Sequence, residues 1–324
     1  MAVNIWKTLP QPFFVLAPMD DVTDVVFRDL VTTTAPPDVF FTEFTNVEAI
    51  CSKGRESQIR RLLYTERQRP IIAQIWGLDP AHYEETAKLV QEMGFDGIDI
   101  NMGCPERTVV KNGACAAFIK NPKLAKEVIG ATRRGAPQLP LSVKTRIGFS
   151  TIQTEEWISF LLAQHLDALI VHGRTAKEMS KVPAHWDEIA KVVTLRNALS
   201  PHTVIIGNGD VKNYAKGMAR VQETGVDGVM IGRGVFTNMW AFEKTAQYHV
   251  PTVRERINLL TQHVHLYEKQ WGMTKKFEVL KKFFKIYISE FDGAAELRVK
   301  FMDTKTYQDV HRIAEECLQL QTLP

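Results

Sequence analysis

The chain has 324 residues, 45% of them hydrophobic and 24% charged, with a formal net charge of +3 at pH 7. That composition supplies a sizeable core and excludes a disordered, collagen-like or disulfide-stapled chain. So mild a charge does not by itself nominate a nucleic acid, and no apolar run approaches the ~20 residues that span a bilayer.

Short apolar runs of strand character recur in the first three quarters of the chain. In order they are FFVLAPM from Phe13, VFFTEF from Val39, IIAQIWG from Ile71 and GIDINMGCP from Gly97. LSVKTRIG from Leu141, ALIVHGRT from Ala168, TVIIGNGD from Thr203 and GVMIGRG from Gly228 follow. Each starts continuously apolar, as a strand buried on both faces does. Helical patterns lie between them. PAHYEETAKLVQEMG has Asp79 ahead of Pro80 and ends on Gly94, and NPKLAKEVIGATRRG sets Pro122 one place inside and Gly135 outside. Eight strands alternating with helices predict an α/β fold, a (β/α)8 TIM barrel. A doubly wound open sheet is the rival, but LAPMDDVTD is not the long Gly-rich turn it wants after its first strand.

From about Ala241 the strand-like runs stop. VRERINLLTQHVHLYEKQWG, FEVLKKFFKIYISEF and TYQDVHRIAEECLQLQ all space their apolar residues helically. The expected organisation is a barrel domain over residues 1–243 and a small all-helical domain over 244–324. The border is soft, because AFEKTAQYHV also suits a last barrel helix.

Polar side chains gather at the C-terminal ends of the expected strands: Gln74, Asn101 with Cys104, Lys144 with Arg146, His172 with Arg174, Asn208 with Asp210, and Arg233. In a barrel these ends open onto one face, where active sites lie. GNGD (Gly207 to Asp210) and GRG (Gly232 to Gly234) end consecutive strands, and such glycines let backbone N–H groups approach a phosphate. Lys144 and Arg146 are two apart and point the same way. Two cations there are costly without an anionic or electron-rich partner. His172 is either a structural histidine or a ligand contact and proton relay. Cys104 is either a small buried residue or, bent outward by Gly103 and Pro105, a nucleophile or proton donor in the mouth. Asn101 offers a donor and an acceptor to a planar amide-like substrate. The stretch ERTVVKNGACAAF reads as a mobile loop able to close over the site.

The cysteines Cys51, Cys104, Cys115 and Cys317 are too scattered for a disulfide framework, which suits a reducing cytoplasm. The opening MAVNIWKTLP has no apolar core or small-residue cleavage site, so no signal peptide is expected. No metal constellation, Walker loop or GxGxxG occurs, so no metal is expected and a nicotinamide has no Rossmann domain of its own. Two runs are basic: residues 51–70, including Arg60 and Arg61, and residues 275–285. Either is ordinarily a solvated helix face.

The motifs LAPMDDVTD, AQIWG, GIDINMGCPERTVVKNGACAAF, VKTRIG, VHGRT, IIGNGDV and VMIGRG, in that order, closely resemble those of the tRNA-dihydrouridine synthases. FDGAAELRVKFMDTKTYQDV resembles that family's helical domain. The resemblance implies a cytoplasmic enzyme with an FMN-binding barrel and a tRNA-binding helical domain, here expected to be a monomer. It implies reduction of the C5–C6 bond of particular D-loop uridines, with NADPH as electron source. By motif position, Ala17, Pro18 and Met19 would line the flavin ring, and Gln74, Lys144 and His172 would contact its ring and ribityl parts. Asn208, Gly209, Asp210, Gly232 and Arg233 would hold its phosphate end. Asn101, Arg146 and Arg174 would face the substrate, and Cys104 would be the catalytic acid, a thiol with a pKa not strongly lowered. Lys281, Lys282 and Lys285 would meet the tRNA backbone. The chain departs from the family pattern at Cys115 in GACAA and at KKFFKIY. Another FMN barrel acting on a free pyrimidine, such as a dihydroorotate dehydrogenase, and a non-catalytic tRNA-binding protein are the alternatives.

Overall fold

The computed structural model describes residues 4–245 and 249–320. Its strands are β1 (Phe13–Leu16), β2 (Phe40–Phe41), β3 (Thr45–Asn46), β4 (Ile71–Trp76) and β5 (Gly97–Met102). β6 (Leu141–Arg146), β7 (Ala168–His172), β8 (Val204–Asn208) and β9 (Gly228–Ile231) complete them. All pairings are parallel, in the order β1-β9-β8-β7-β6-β5-β4-β2, with β3 also on β4. A parallel bridge between Val15 and Val39 joins the two ends, so the sheet curls into a (β/α)8 barrel. The second expected strand is split into β2 and β3. Between them the Gln74 N–H of the neighbouring strand donates to Thr42 Oγ1 at 3.1 Å instead of a backbone carbonyl, and the Glu43 carboxylate accepts the Asp21 N–H at 2.7 Å.

Side chains alternate along each strand. Phe13, Val15, Ile72, Ala168, Ile170, Val204 and Ile206 share one apolar cluster inside the barrel, while Phe14, Leu16, Ile71, Ala73, Leu169 and Ile205 pack outward against the helices. The helix Ile5–Thr8 plugs the bottom, with the Trp6 ring 6.0 Å from Phe13. The inward register continues upward into Gln74, Asp99, Asn101, Ser142, Lys144, Arg146, His172 and Asn208. The interior is therefore oily at the base and polar at the C-terminal end.

The helix Pro80–Glu92 starts on Asp79, whose carboxylate accepts the Ala81 N–H at 2.8 Å. Asn121 caps Pro122–Gly135 likewise, but Gly135 lies inside the last turn, not beyond it. The C-terminal region is helical, with Val253–Trp271 opened by a Thr252/Glu255 capping box, then Ala294–Met302 and Tyr307–Leu320. The stretch expected as one helix from Phe277 is a 3-10 helix, Phe277–Phe283, followed by a single α turn, Phe284–Tyr287. Its apolar residues Phe277, Leu280, Phe283 and Ile286 recur every third position, which aligns them on a 3-10 helix and scatters them on an α-helix. Part of AFEKTAQYHV, residues 246–248, and the last residue of the TYQDVHRIAEECLQLQ segment lie outside the described residues.

One apolar cluster runs from the barrel's outer shell through Ile257, Leu260, Phe283 and Val310, across residue 243. Phe27 stacks on Phe283 at 5.8 Å. Asp24 ties the regions together. One carboxylate oxygen caps Val25–Val31 through the Phe27 N–H at 3.0 Å, and the other accepts Trp271 Nε1 at 2.8 Å and Lys275 Nζ at 3.1 Å. Among the described residues no helix is long and apolar enough to cross a membrane.

Candidate active site

A cavity of about 500 Å³ opens at the polar end of the barrel. One wall is Ala17, Pro18 and Met19, directly after β1. The opposite side carries Lys144, His172 and Asn208 from β6, β7 and β8. Gly209, Asp210, Gly232 and Arg233 form the far end, beside Lys212 and Thr237. Three separate turns, after β1, β8 and β9, are brought together with the ends of β6, β7 and β8 because all lie at the C-terminal end of the barrel.

Two glycines shape that end. Gly209 has φ +134, and a Cβ there would stand 2.5 Å from the Ala184 Cβ. At Gly232 an added Cβ would meet only Ala17 and Met19, at 3.5 Å and beyond. The protein itself therefore leaves room at Gly232, and that room belongs to the cavity.

Arg174 is buried and fully engaged. Its Nε donates to the Val182 carbonyl at 2.6 Å, one terminal nitrogen donates to His172 Nε2 at 3.1 Å, and the other pairs with Asp210. A guanidinium only donates, so His172 Nε2 accepts and the ring proton sits on Nδ1. Burial, with Arg146, Lys144, Arg174 and Arg233 nearby, holds His172 well below its ordinary pKa, so it is neutral. Asp210 also takes the Ala184 N–H at 2.9 Å, and Arg233 approaches it at 3.5 Å while 63% of its side chain stays exposed.

Lys144 is half-buried and has no hydrogen-bond or ion-pair partner among the described residues. Burial, then Arg146, lowers its pKa to about 8. Asp99, wholly buried two residues before Asn101, is raised to about 7 by burial. It accepts Ser142 Oγ at 2.6 Å and Gln74 Nε2 at 2.7 Å. Composition at strand ends did not reveal Asp99. The period-2 register of GIDINM, which sets Asp99 on the same face as Asn101, is the signal that finds it.

Cys104 stands in the turn after β5, beside Arg146 and Lys144. Asn101 builds this turn. Its side-chain oxygen accepts the N–H groups of Gly103 and Cys104, both at 3.0 Å, and its nitrogen donates to Gln74 Oε1 at 3.2 Å. Arg146 clamps the same turn, with Nε on the Gly103 carbonyl at 2.7 Å and a terminal nitrogen on the carbonyls of Thr175 and Met179. Gln74, Asn101, Arg146 and Arg174 thus spend most of their polar atoms on neighbouring groups. The Cys104 thiol is pushed above its ordinary value by burial, against the pull of Arg146 and Lys144. It is a thiol at neutral pH.

The segment after Cys104, read as a mobile loop, divides in two. Residues 106–113 are largely exposed and hold a short helix, Arg107–Lys111, capped by Glu106. The second half packs into the core, with Cys115 through Ile119 buried and the Ala116 N–H bonded to the Cys104 carbonyl at 3.2 Å. The packing of Phe118 and Ile119 into the outer core decides this, an apolar run that the glycine before it obscured.

The basic residues divide as well. Lys281 donates to the Met302 carbonyl at 2.7 Å. Lys282 and Lys285 face a second cavity, whose wall also includes Arg233. Arg61 bonds Glu43 at 3.1 Å and pairs with Asp20 and Asp21, so this acidic cluster is occupied by a guanidinium.

A family model described as dihydrouridine synthase (Dus) matches residues 15–322, nearly the whole chain. The chain belongs to the dihydrouridine synthase family. It is 44% identical to a probable tRNA-dihydrouridine synthase of Staphylococcus aureus (strain MRSA252), over 98% of this chain and 96% of that protein. It is also 44% identical to probable tRNA-dihydrouridine synthase 2 of Bacillus subtilis (strain 168), over 98% of this chain and 97% of that one. Among solved structures the dihydrouridine synthase barrel is similar to morphinone reductase in complex with tetrahydroNAD. The TM-score is 0.50 at 13% identity, covering 72% of this chain and 86% of that one. A 2-naphthoyl-CoA reductase complex matches at TM-score 0.54 and 9% identity, covering 70% and 48%. At such identities these two likenesses concern the fold alone.

Proposed function

We propose that the protein is a tRNA-dihydrouridine synthase. It reduces the C5–C6 double bond of particular D-loop uridines in tRNA, with FMN in the barrel mouth and NADPH as electron source. The observation that carries this reading is a protonated thiol, Cys104, beside Lys144, a cation with no partner among the described residues that lines a cavity with two glycine turns, in a chain of the dihydrouridine synthase family.

The residues fit a flavin mononucleotide. The cavity volume is within the ~300–1,000 Å³ range of small-ligand sites. Lys144 has no partner among the described residues and suits an electron-rich ring. Gly232 leaves space that a side chain would fill, and Arg233 supplies an exposed cation beside it for a phosphate. When bound, the flavin supplies the hydride that adds to C6 of uracil.

The chain's own residues do the rest. Cys104 holds a proton for C5, and burial keeps it there at neutral pH. Asn101 and Arg146 fix the turn that carries the thiol. Arg174 orients His172 and Asp210, so His172 presents Nδ1–H as a neutral donor. Lys282 and Lys285 form a cationic face for the tRNA backbone, where charge gives affinity and shape gives specificity. The uridine leaves its stack to reach the mouth, as bases do in enzymes that modify them.

The test is dihydrouridine formation, followed by mass spectrometry, when purified protein, FMN and NADPH are incubated with unmodified bulk tRNA. Product in tRNA and none from free uridine is expected. NADPH oxidation with no dihydrouridine would sink the substrate assignment.

Two further outcomes follow from the geometry. Gly232→Val is expected to melt close to the parent yet bind FMN about tenfold more weakly or worse, because the branch enters the cavity. Equal flavin affinity by fluorescence would place the phosphate end elsewhere. A raised thiol pKa leaves less thiolate at neutral pH, and thiolate grows as pH rises through the raised value. Iodoacetamide is therefore expected to alkylate Cys104 more slowly than free cysteine at pH 7, catching up only above the ordinary thiol range. Faster alkylation at pH 7 would mark a nucleophilic cysteine instead.

A further inference from the structure

The sheet register puts Gln74, Asp99 and Ser142 side by side on three neighbouring strands, β4, β5 and β6. All three are wholly buried. Asn101, also buried, is the next inward residue above Asp99 on β5. A carboxyl group is costly to bury, and the proton held by Cys104 does not call for one here.

The hydrogen bonds of these side chains form one directed chain. Asp99 accepts Gln74 Nε2 at 2.7 Å. Gln74 Oε1 accepts Asn101 Nδ2 at 3.2 Å. Asn101 Oδ1 accepts the N–H groups of Gly103 and Cys104, both at 3.0 Å. A side-chain amide can point either way, so its orientation is imposed by its neighbours. Here both ends of the chain have a fixed polarity. The two backbone N–H groups only donate, and an ionised carboxylate only accepts. Between such ends, one orientation of each amide sets every donor against an acceptor. Burial raises Asp99 to about 7, so it is partly protonated at neutral pH. Ser142 absorbs that change. Its hydroxyl, which donates to Asp99 at 2.6 Å, can equally accept. The proton then lies on the Ser142 side, and the oxygen toward Gln74 accepts in both states.

We infer that Asp99 is a positioning residue for the reaction: through Gln74 and then Asn101 it fixes the turn that carries the Cys104 thiol. The inference rests on the proposed function, in which Cys104 is the acid. Without an acceptor at position 99, Gln74 Nε2 is left unpaired in the barrel interior, and the amide gains by turning that nitrogen elsewhere. Its oxygen then leaves Asn101, and Asn101 is no longer held against the turn. A reacting group displaced by about 1 Å costs ~10²-fold in rate. Asp99 thus acts on the thiol across two intervening side chains, without touching the substrate.

The experiment has two readouts. One is alkylation by iodoacetamide, followed by mass spectrometry at the Cys104 peptide before any tRNA is added. The other is reoxidation of the pre-reduced, flavin-loaded protein by saturating tRNA. Asp99→Leu fills a similar volume and removes a buried charge, so a loss of stability is not built into it. It is expected to speed alkylation severalfold, because the loosened turn uncovers the thiol. It is also expected to slow reoxidation about tenfold or more, with the tRNA concentration at half-maximal rate little changed. Asp99→Asn, with its oxygen toward Gln74 and its nitrogen toward Ser142, is expected to match the parent in both. Gln74→Glu sets two carboxylates against each other and breaks the chain. Adding Asp99→Asn gives that glutamate a donor and is expected to restore both readouts. This pair decides the matter if Asp99→Leu fails to fold. Parent-like behaviour of folded Asp99→Leu in either readout, or a double variant no better than Gln74→Glu, overturns the inference. If tRNA never reoxidises the flavin of the unmodified protein, the functional reading fails and the inference with it, whatever the alkylation rates.

Discussion

Cys104→Ala is expected to remain yellow, to oxidise NADPH, and to lose uridine reduction by about 10²–10⁴-fold, the usual contribution of a positioned general acid. The thiol sits in a turn already held by Asn101 and Arg146, so the backbone does not depend on the sulfur. Removing it costs little stability and leaves the cavity walls, Lys144 and His172, untouched. Single-turnover mixing of pre-reduced variant with tRNA separates the steps. Normal flavin reduction followed by slow reoxidation by tRNA is the expected pattern. Reoxidation at the parent rate would mean that another group supplies the proton. Cys115 is a poor substitute, because it is buried and burial pushes its own thiol well up.

Asp24→Ala carries the largest expected loss of stability. One carboxylate caps the helix Val25–Val31 and accepts the buried Trp271 indole N–H and the Lys275 ammonium. Losing the cap and leaving an indole N–H without a partner together cost about 2–4 kcal/mol. Because Trp271 and Lys275 belong to the C-terminal region and Asp24 follows β1, the loss also loosens the seam beside Lys282 and Lys285. The melting temperature is expected to fall by several degrees, and tRNA affinity to fall with it, while Asp24→Asn, which keeps one acceptor oxygen and so either the cap or the indole bond, loses less. A melting temperature within a degree of the parent would show that the clasp is not needed.

The barrel was legible because its strands are buried on both faces and read as unbroken apolar runs. Its polar mouth was legible because side chains two apart share a face, which set Lys144, His172 and Asn208 around one cavity. The direction in which a long side chain turns was not legible. Arg146 and Arg174 stand at strand ends as a substrate contact would, yet their guanidinium groups close on the carbonyls of Gly103, Thr175 and Val182. The three lysines show the same limit. On an α-helix Lys281 and Lys285 share a face. In the structure the 3-10 helix ends at Phe283 and an α turn carries Lys285, so Lys282 and Lys285 face one cavity while Lys281 turns toward Met302. The Asp24–Trp271 bond joins positions 247 apart and has no local signature.

The account rests most heavily on electrons passing from a flavin in this barrel to a uridine in tRNA. The most direct measurement reduces the flavin-loaded protein anaerobically, removes excess reductant, adds tRNA lacking dihydrouridine, and follows flavin reoxidation and dihydrouridine together. The account predicts that tRNA reoxidises the flavin and that dihydrouridine appears mole for mole. A flavin that stays reduced with tRNA, or one that reoxidises without dihydrouridine, would contradict it.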